Sequence, residues 1–405
     1  MRDADPLDNR LPEIAAWRRH LHAHPELGYD VHATAAFVAG KLREFGVDEV
    51  VEGVGRTGVV GLIRGASTAS GRVTGLRADM DALPIVEDTG AEWASTVRGK
   101  MHACGHDGHT AMLLGAARAL AETRDFDGTV ALIFQPAEEG GGGGLAMVED
   151  GMMERFGIDR VFGMHNMPGL PVGEFATRPG PLMACADQFD LVVEGRGGHA
   201  AMPHVCVDPV VVASEIVLAL QTVVSRNTKP TEPLVITVTT VNVEGDAYNV
   251  IPQRVSMRGT VRAFDDELRH HAKARIESIA THVAAAHEAS ASLDYEFGYP
   301  PTVNHAAETA FAVEVARAVA GDAGVDDDKA PVMGAEDFSY MLGARPGAFV
   351  FVGNGESAAL HHPRYDFDDE ALGSGCRYWI ELVRRAMPAD GGGDADGGEE
   401  RGGAR

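Results

Sequence analysis

The sequence predicts an α/β protein in which a compact α+β unit of four strands and two helices interrupts a larger sheet domain. Three observations carry that expectation. Helix and strand periodicities alternate in the first part of the chain, a β-α-β-β-α-β order occupies residues 187–298, and helix-strand alternation resumes after Pro300-Pro301. At 405 residues the chain also exceeds the size at which one core usually keeps growing, so two domains are expected: 1–186 with 299–388, and 187–298 inserted between them.

The elements come in order. Leu11, Ile14, Trp17 and Leu21 recur at three- and four-residue steps, the pattern of an amphipathic helix, which breaks at His24-Pro25-Glu26 because a residue before proline avoids helical backbone angles. A second helix is expected over 34–45, then short strands at 47–51, 58–63 and 73–77. Residues 188–194 alternate apolar and polar as a half-buried strand does, and Gly195-Arg196-Gly197-Gly198-His199 turns into a long apolar helix over 208–225. A strand pair at 234–243 and 251–262, a helix over 265–287 and a strand at 292–297 complete the inserted unit. Beyond it, 311–320 reads as helix and 348–353 as strand. The tail 389–405 is rich in Gly, Asp and Glu and is expected to be disordered.

Composition narrows the partners. A hydrophobic content of 45% is that of an ordinary globular chain. No apolar run is expected to reach the roughly 18 residues of a membrane span, and the opening Met1-Arg2-Asp3-Ala4-Asp5-Pro6 has no signal-peptide core, which together predict a cytoplasmic protein without a membrane partner. A formal net charge of -25 repels phosphate backbones and excludes nucleic acid as a partner. Of 35 basic residues only Lys41, Lys100, Lys229, Lys273 and Lys329 are lysines, against 60 acids. Such a surface fits either adaptation to high salt, which screens its self-repulsion, or the acidic drift of a high-GC genome. A melting temperature that does not change between low and molar salt would reject the first. Cys104, Cys185, Cys206 and Cys376 have no framework spacing, so disulfides are not indicated, and the last three read as small buried apolar residues.

The chemistry concentrates in Met101-His102-Ala103-Cys104-Gly105-His106-Asp107-Gly108-His109 and, some thirty residues on, the adjacent pair Glu138-Glu139. A Cys-x-His pair offers a thiolate and an imidazole within one turn, and two neighbouring carboxylates can divide metal binding from proton transfer. Gly53-Val54-Gly55-Arg56-Thr57-Gly58 matches the dinucleotide-binding glycine pattern, but Val59-Val60-Gly61-Leu62-Ile63 after it is strand-like rather than the helix that would hold a pyrophosphate, so a hairpin turn is expected. The run 140–144 lacks the Lys-Ser/Thr ending of a phosphate loop and instead suits a close backbone approach to a site.

Ten phrases in order carry a family resemblance: His22-Ala-His24-Pro-Glu-Leu-Gly28, Arg77-Ala-Asp79-Met-Asp81-Ala-Leu-Pro-Ile85, 101–109, Phe134-Gln-Pro-Ala-Glu138-Glu139, Gly163-Met-His165-Asn166, Gly197-Gly-His199-Ala200, Asn249-Val-Ile-Pro252, Gly259-Thr-Val-Arg262, Glu336-Asp-Phe-Ser339 and Leu360-His361. From about residue 12 to 385 the chain resembles the dinuclear metallopeptidase family of aminoacylase and carboxypeptidase G, in its amidohydrolase branch with hippurate hydrolase and indole-acetyl-amino-acid hydrolase.

The resemblance implies a metallopeptidase-type catalytic sheet domain with an inserted ferredoxin-like unit that dimerises the protein and acts as a lid. It implies Cys104, His106, Glu139, His165 and His361 as ligands of two divalent metal ions, manganese, zinc, cobalt or nickel all being compatible with mixed S/N/O donors. Glu138 falls on the general base that takes a proton from a metal-activated water, and Asp81 on a supporting carboxylate that orients a ligand histidine. His199 falls on the residue that reaches a partner's site to polarise the substrate carbonyl, and Asn249 and Arg262 on substrate contacts. The implied reaction is hydrolysis of an N-acyl amino acid by a homodimer.

Alternatives stand beside it. A dipeptidase or carboxypeptidase could use the same centre, and a silent ligand-binding dimer could use the same scaffold. His362 comes after His361 at a variable position of the family pattern, His102 and His109 are supporting candidates, and Asp79 could be a structural cap. Asp30 stands where the family usually has Glu, and Leu145 where a smaller residue is usual, which bears on substrate preference.

Overall fold

The computed structural model describes residues 7–389, so the expected disorder of 389–405 lies, apart from Ala389, outside the described residues. The chain divides into two compact units. The first runs to Ala176 and takes in Ala310–Asp327 and everything from Ala344 on; the second is Thr177–Thr309 with Asp328–Gly343.

The first unit begins with α1 (Leu11–Ala23) and α2 (His32–Glu44), then β1 (Glu49–Val54), β2 (Gly58–Arg64), β3 (Val73–Asp79), α3 (His106–Thr123), β4 (Thr129–Gln135) and β5 (Arg160–Met167). The second contains β6 (Ala186–Glu194), α4 (Pro209–Thr222), β7 (Leu234–Val243), β8 (Arg254–Ala263), α5 (Asp266–Ala286) and β9 (Ser290–Tyr299). The first unit resumes within the helix Ala306–Ala320, continues through the short strand Val325–Asp326, and closes with β10 (Gly347–Gly353) and α6 (Ala371–Ala386).

The large sheet has eight strands in the order β1-β2-β4-β3-β5-β10, extended by Phe175–Ala176 and Val325–Asp326. Its centre, β4-β3-β5-β10, is parallel, with Asp79 opposite Gln135 and Phe351 opposite His165. Parallel strands covered on both faces read as continuous apolar runs, and β4 and β10 are buried almost throughout. β1 and β2 pair antiparallel around the 53–58 glycines, so these form the expected hairpin and no nucleotide loop. α1 buries Ile14, Trp17 and Leu21, whereas α3 is buried nearly all round and lies between other elements of the core. Small residues permit that approach: a Cβ on Gly115 would lie 2.6 Å from Cys376 Sγ on α6.

The second unit's sheet is antiparallel, in the order β7-β8-β6-β9, and its elements run in the expected β-α-β-β-α-β sequence. Asp208 and Asp265 cap α4 and α5, their carboxylates accepting from the backbone N–H groups of Val210 and Leu268 at 2.9 and 3.0 Å. Besides 187–298 this unit includes the pairing of Gly180–Met183 with Thr302–Asn304.

Three expectations need correction. The strand expected over 251–262 is broken at Pro252, which has no N–H to give the ladder: Val250–Ile251 pairs with Gly198–His199, and β8 starts at Arg254. The helical segment Pro209–Asn227 is in fact long and apolar enough to cross a membrane, although Val212, Ala213, Ile216 and Leu220 bury one side of it in the core of the second unit. All four cysteines are free, but Cys206 is only half-buried, in the turn after His199, rather than a core residue.

Candidate metal centre

The candidate residues converge where the parallel strands of the first unit end, the edge at which open α/β sheets place their ligands. Asp79 ends β3 and Asp81 lies just beyond it; Cys104 and His106 stand at the start of α3; Glu138 and Glu139 come after β4; His165 lies near the end of β5; and His361 is in the loop after β10. Among the groups whose ligand atoms lie within 4.8 Å of one another, two share Cys104, which stands with His106 and His165 in one and with Glu139 and His361 in the other; His106 also groups with Asp79 and His109 and with Glu138 and Glu139. The Cys104 thiol sits 3.3 Å from His165 Nε2, and His361 Nε2 is 3.3 Å from Glu139 Oε1.

Local backbone geometry explains this convergence. Gly105 has φ +90°, and a Cβ there would lie 2.5 Å from Tyr365 Oη and closer still to Asn166 Nδ2, so only glycine separates Cys104 from His106. His361 itself adopts φ +65°, with its N–H donating to Ala103 O at 2.8 Å. Its exposed neighbour His362 is taken up locally, Nδ1 accepting from Arg364 N at 3.1 Å. In the 140–144 run Gly143 is pressed against the Pro136 carbonyl, as a close backbone approach requires.

Asp81 makes two kinds of contact. Its carbonyl accepts from His106 Nδ1 at 2.8 Å, which turns Nε2 toward the centre. Its carboxylate accepts from the N–H groups of Glu138 and Glu139 at 2.9 and 3.1 Å and so clamps the acidic pair from behind. Asp79 is no helix cap: it is fully buried, bonded by Arg77 Nη1 and by His109 Nδ1 at 2.6 Å each. Because His109 Nε2 accepts from Asn166 N at 2.9 Å, both nitrogens of that ring are engaged, and His109 supports the centre without a lone pair to offer it. Behind α3, Asp107 accepts from His22 Nδ1 at 2.9 Å, tying α1 to its first turn. His102 is buried with neither ring nitrogen hydrogen-bonded, and burial pushes it down to about 3, a neutral imidazole.

The electrostatics are those of a site crowded with carboxylates. Burial, then Glu139, Glu138 and Asp79, push the Cys104 thiol well above its ordinary range. Burial opposes protonation of His106, yet Asp79, Asp81 and Glu139 together raise it to about 10. Burial and the neighbouring His109 hold His165 well below the usual imidazole range. Among the described residues, His106 Nε2 is buried with no hydrogen-bond partner. These residues fit cations: positive charge at this point would ionise the thiol, displace the proton from His106 and satisfy the unpartnered nitrogen.

His199, Asn249 and Arg262 belong to the second unit. His199 is exposed, with Nδ1 accepting from Ala201 N at 3.1 Å. Asn249 is exposed, its carbonyl accepting from Ala200 N, and half-buried Arg262 donates to Thr260 Oγ1 on its own strand at 2.9 Å. No sequence signal points to Tyr365, which is wholly buried and donates to Asn166 Oδ1 at 2.7 Å.

A sheet of this kind with thiol, imidazole and carboxylate donors at its strand ends defines a metal-dependent hydrolase. The chain belongs to peptidase family M20/M25/M40, whose model matches residues 75–385. It is 41% identical over 379 residues to an N-acetyl-L-cysteine deacetylase of Bacillus subtilis (strain 168), covering 93% of this chain and 89% of that one. It is 40% identical over 386 residues to a hippurate hydrolase of Campylobacter jejuni, covering 94% and 100%. Among solved structures, a dinuclear metal binding peptidase of the M20 family from Bacillus subtilis superposes with a TM-score of 0.82 at 34% identity, covering 94% of this chain and 99% of that one.

Proposed function

We propose that this chain hydrolyses the amide bond of N-acyl amino acids, releasing a carboxylic acid and a free amino acid, with two divalent cations held by Cys104, His106, Glu139, His165 and His361. The observation that carries the reading is the pair of ligand groups sharing Cys104, with Glu138 alongside on a backbone clamped by Asp81. The deacetylase and hippurate hydrolase names of relatives alike over nearly their whole length supply the substrate class.

The cations, when bound, polarise the amide carbonyl and make water acidic at neutral pH. Glu139 binds, and Glu138 keeps its basicity, takes the proton from water and returns it to the leaving amine. In the dimer proposed below, His199 would polarise the carbonyl oxygen at the site of a second copy, and Asn249 and Arg262 would hold the substrate, a guanidinium matching a free carboxylate.

The proposal includes a homodimer. β7 is an edge strand with exposed Val235, Val241 and Val243, and α4 separately exposes Val210, Val211 and Leu218; the open edge suits pairing with a second copy. Four free cysteines accord with a cytoplasmic location.

The test is a panel of acetyl, benzoyl and free-amine forms of one amino acid derivative, assayed after chelation and after return of manganese, zinc, cobalt or nickel. The chelated protein is expected to be inactive, and the restored one to prefer the acylated forms and to sediment as a dimer. Turnover without metal overturns the cation assignment; preference for the free amine replaces the substrate class with dipeptides.

A further inference from the structure

Three ligand-bearing segments meet at Asn166, and every polar group of this residue is used there. Its N–H donates to His109 Nε2 at 2.9 Å. Its carbonyl accepts from His165 Nδ1 at 2.7 Å, which leaves His165 Nε2 as the lone pair that faces Cys104. Its amide nitrogen donates to the Cys104 carbonyl at 2.6 Å and lies 3.0 Å from His109 Nε2, and its amide oxygen accepts from the Tyr365 hydroxyl at 2.7 Å. Tyr365 in turn stands four residues past His361, in a loop whose other end is pinned by the His361 N–H on Ala103 O. Behind Asn166 the bonds continue through His109 to Asp79 and Arg77. Asn166, Asp79 and Tyr365 are fully buried, and no solvent competes for these bonds.

We infer that Asn166 and Tyr365 are positioning residues that hold the Cys104, His165 and His361 segments in register and thereby set how tightly the centre binds its cations. The inference rests on the proposed metal centre. The two residues touch neither cation nor substrate. They act by fixing which nitrogen His165 presents and how far the His361 loop stands from Cys104. Tyr365 also explains the glycine between Cys104 and His106, since a Cβ at Gly105 would overlap both its hydroxyl and the Asn166 amide.

Tyr365→Phe removes one oxygen and keeps the ring that fills the core. The control is Tyr378→Phe, whose hydroxyl is equally buried but has no hydrogen-bond partner among the described residues. Cation dissociation constants of the full-length protein are read by competition with a chromophoric chelator, alongside kcat at limiting and at saturating metal. Tyr365→Phe is expected to weaken cation binding by about 10- to 100-fold, as loss of such supporting bonds does. Tyr378→Phe should leave it unchanged, and saturating metal should restore the kcat of Tyr365→Phe, which a general loss of structure would not allow. Affinity within twofold of wild type in Tyr365→Phe overturns the inference while leaving the centre intact. A wild-type protein that binds no cation overturns the centre and the inference together.

Discussion

Glu138→Gln is expected to lower kcat by about 10²- to 10⁴-fold, the range lost when a positioned proton-transfer group is removed. The substitution is nearly isosteric, and the backbone is fixed independently of the side chain: the N–H of Glu138 donates to Asp81 Oδ1, and that of Glu139 to Asp81 Oδ2. An amide side chain therefore keeps its place at a site only 6% exposed, with no packing to rearrange. The capacity to accept a proton goes, together with a negative charge 4.0 Å from His106 Nε2. Cation content by elemental analysis should match wild type, because all five proposed ligands are kept. Turnover within tenfold of wild type at full cation content would assign proton transfer to another group.

Gly105→Ala should have the largest effect on stability. At φ +90° an L-side chain is strained by about 1–3 kcal/mol. The added carbon would also overlap two buried groups that are themselves hydrogen-bonded to each other, Asn166 and Tyr365, and overpacking of this kind costs about 1–3 kcal/mol more. Together these amount to about 2–6 kcal/mol, a large share of the margin by which a domain is folded. Denaturant unfolding should show a lower midpoint at an unchanged slope. A loss below about 1 kcal/mol would mean that the start of α3 can move away from Asn166 without cost.

Much of this architecture is legible in the sequence because its signals are local. The hairpin at 53–58, the helix breaking before Pro25 and the alternation of β6 each depend on a few neighbouring residues, and the five proposed donors stand in short ordered phrases. The central strands β4 and β5 are harder to see. Both of their faces are covered, so they lack the two-residue alternation that marks a strand, and a short apolar run can equally be helix. The break at Pro252 has a local cause, the missing N–H, but the pairing of Val250–Ile251 with Gly198–His199 that takes up the detached residues is tertiary. The apolar character of the helix at 209–227 is easy to underestimate because it is carried by valine and alanine between scattered polar residues. In the site, side-chain types point to donors but not to supports: Asp81 acts partly through its carbonyl, His109 has both nitrogens engaged, and Tyr365 belongs to no recognisable pattern.

Cys104 and His361 lie far apart in the chain, and nothing but the completed first unit brings them to one place. An unfolded polypeptide thus has no comparable grip on a divalent ion, and whatever free energy the ions release on binding is added in full to the resistance of the native state. At a free concentration a hundred times the dissociation constant, a single ion held at the proposed centre would contribute about 2.7 kcal/mol, so the thermal endurance of the protein would track the metal supply of its surroundings.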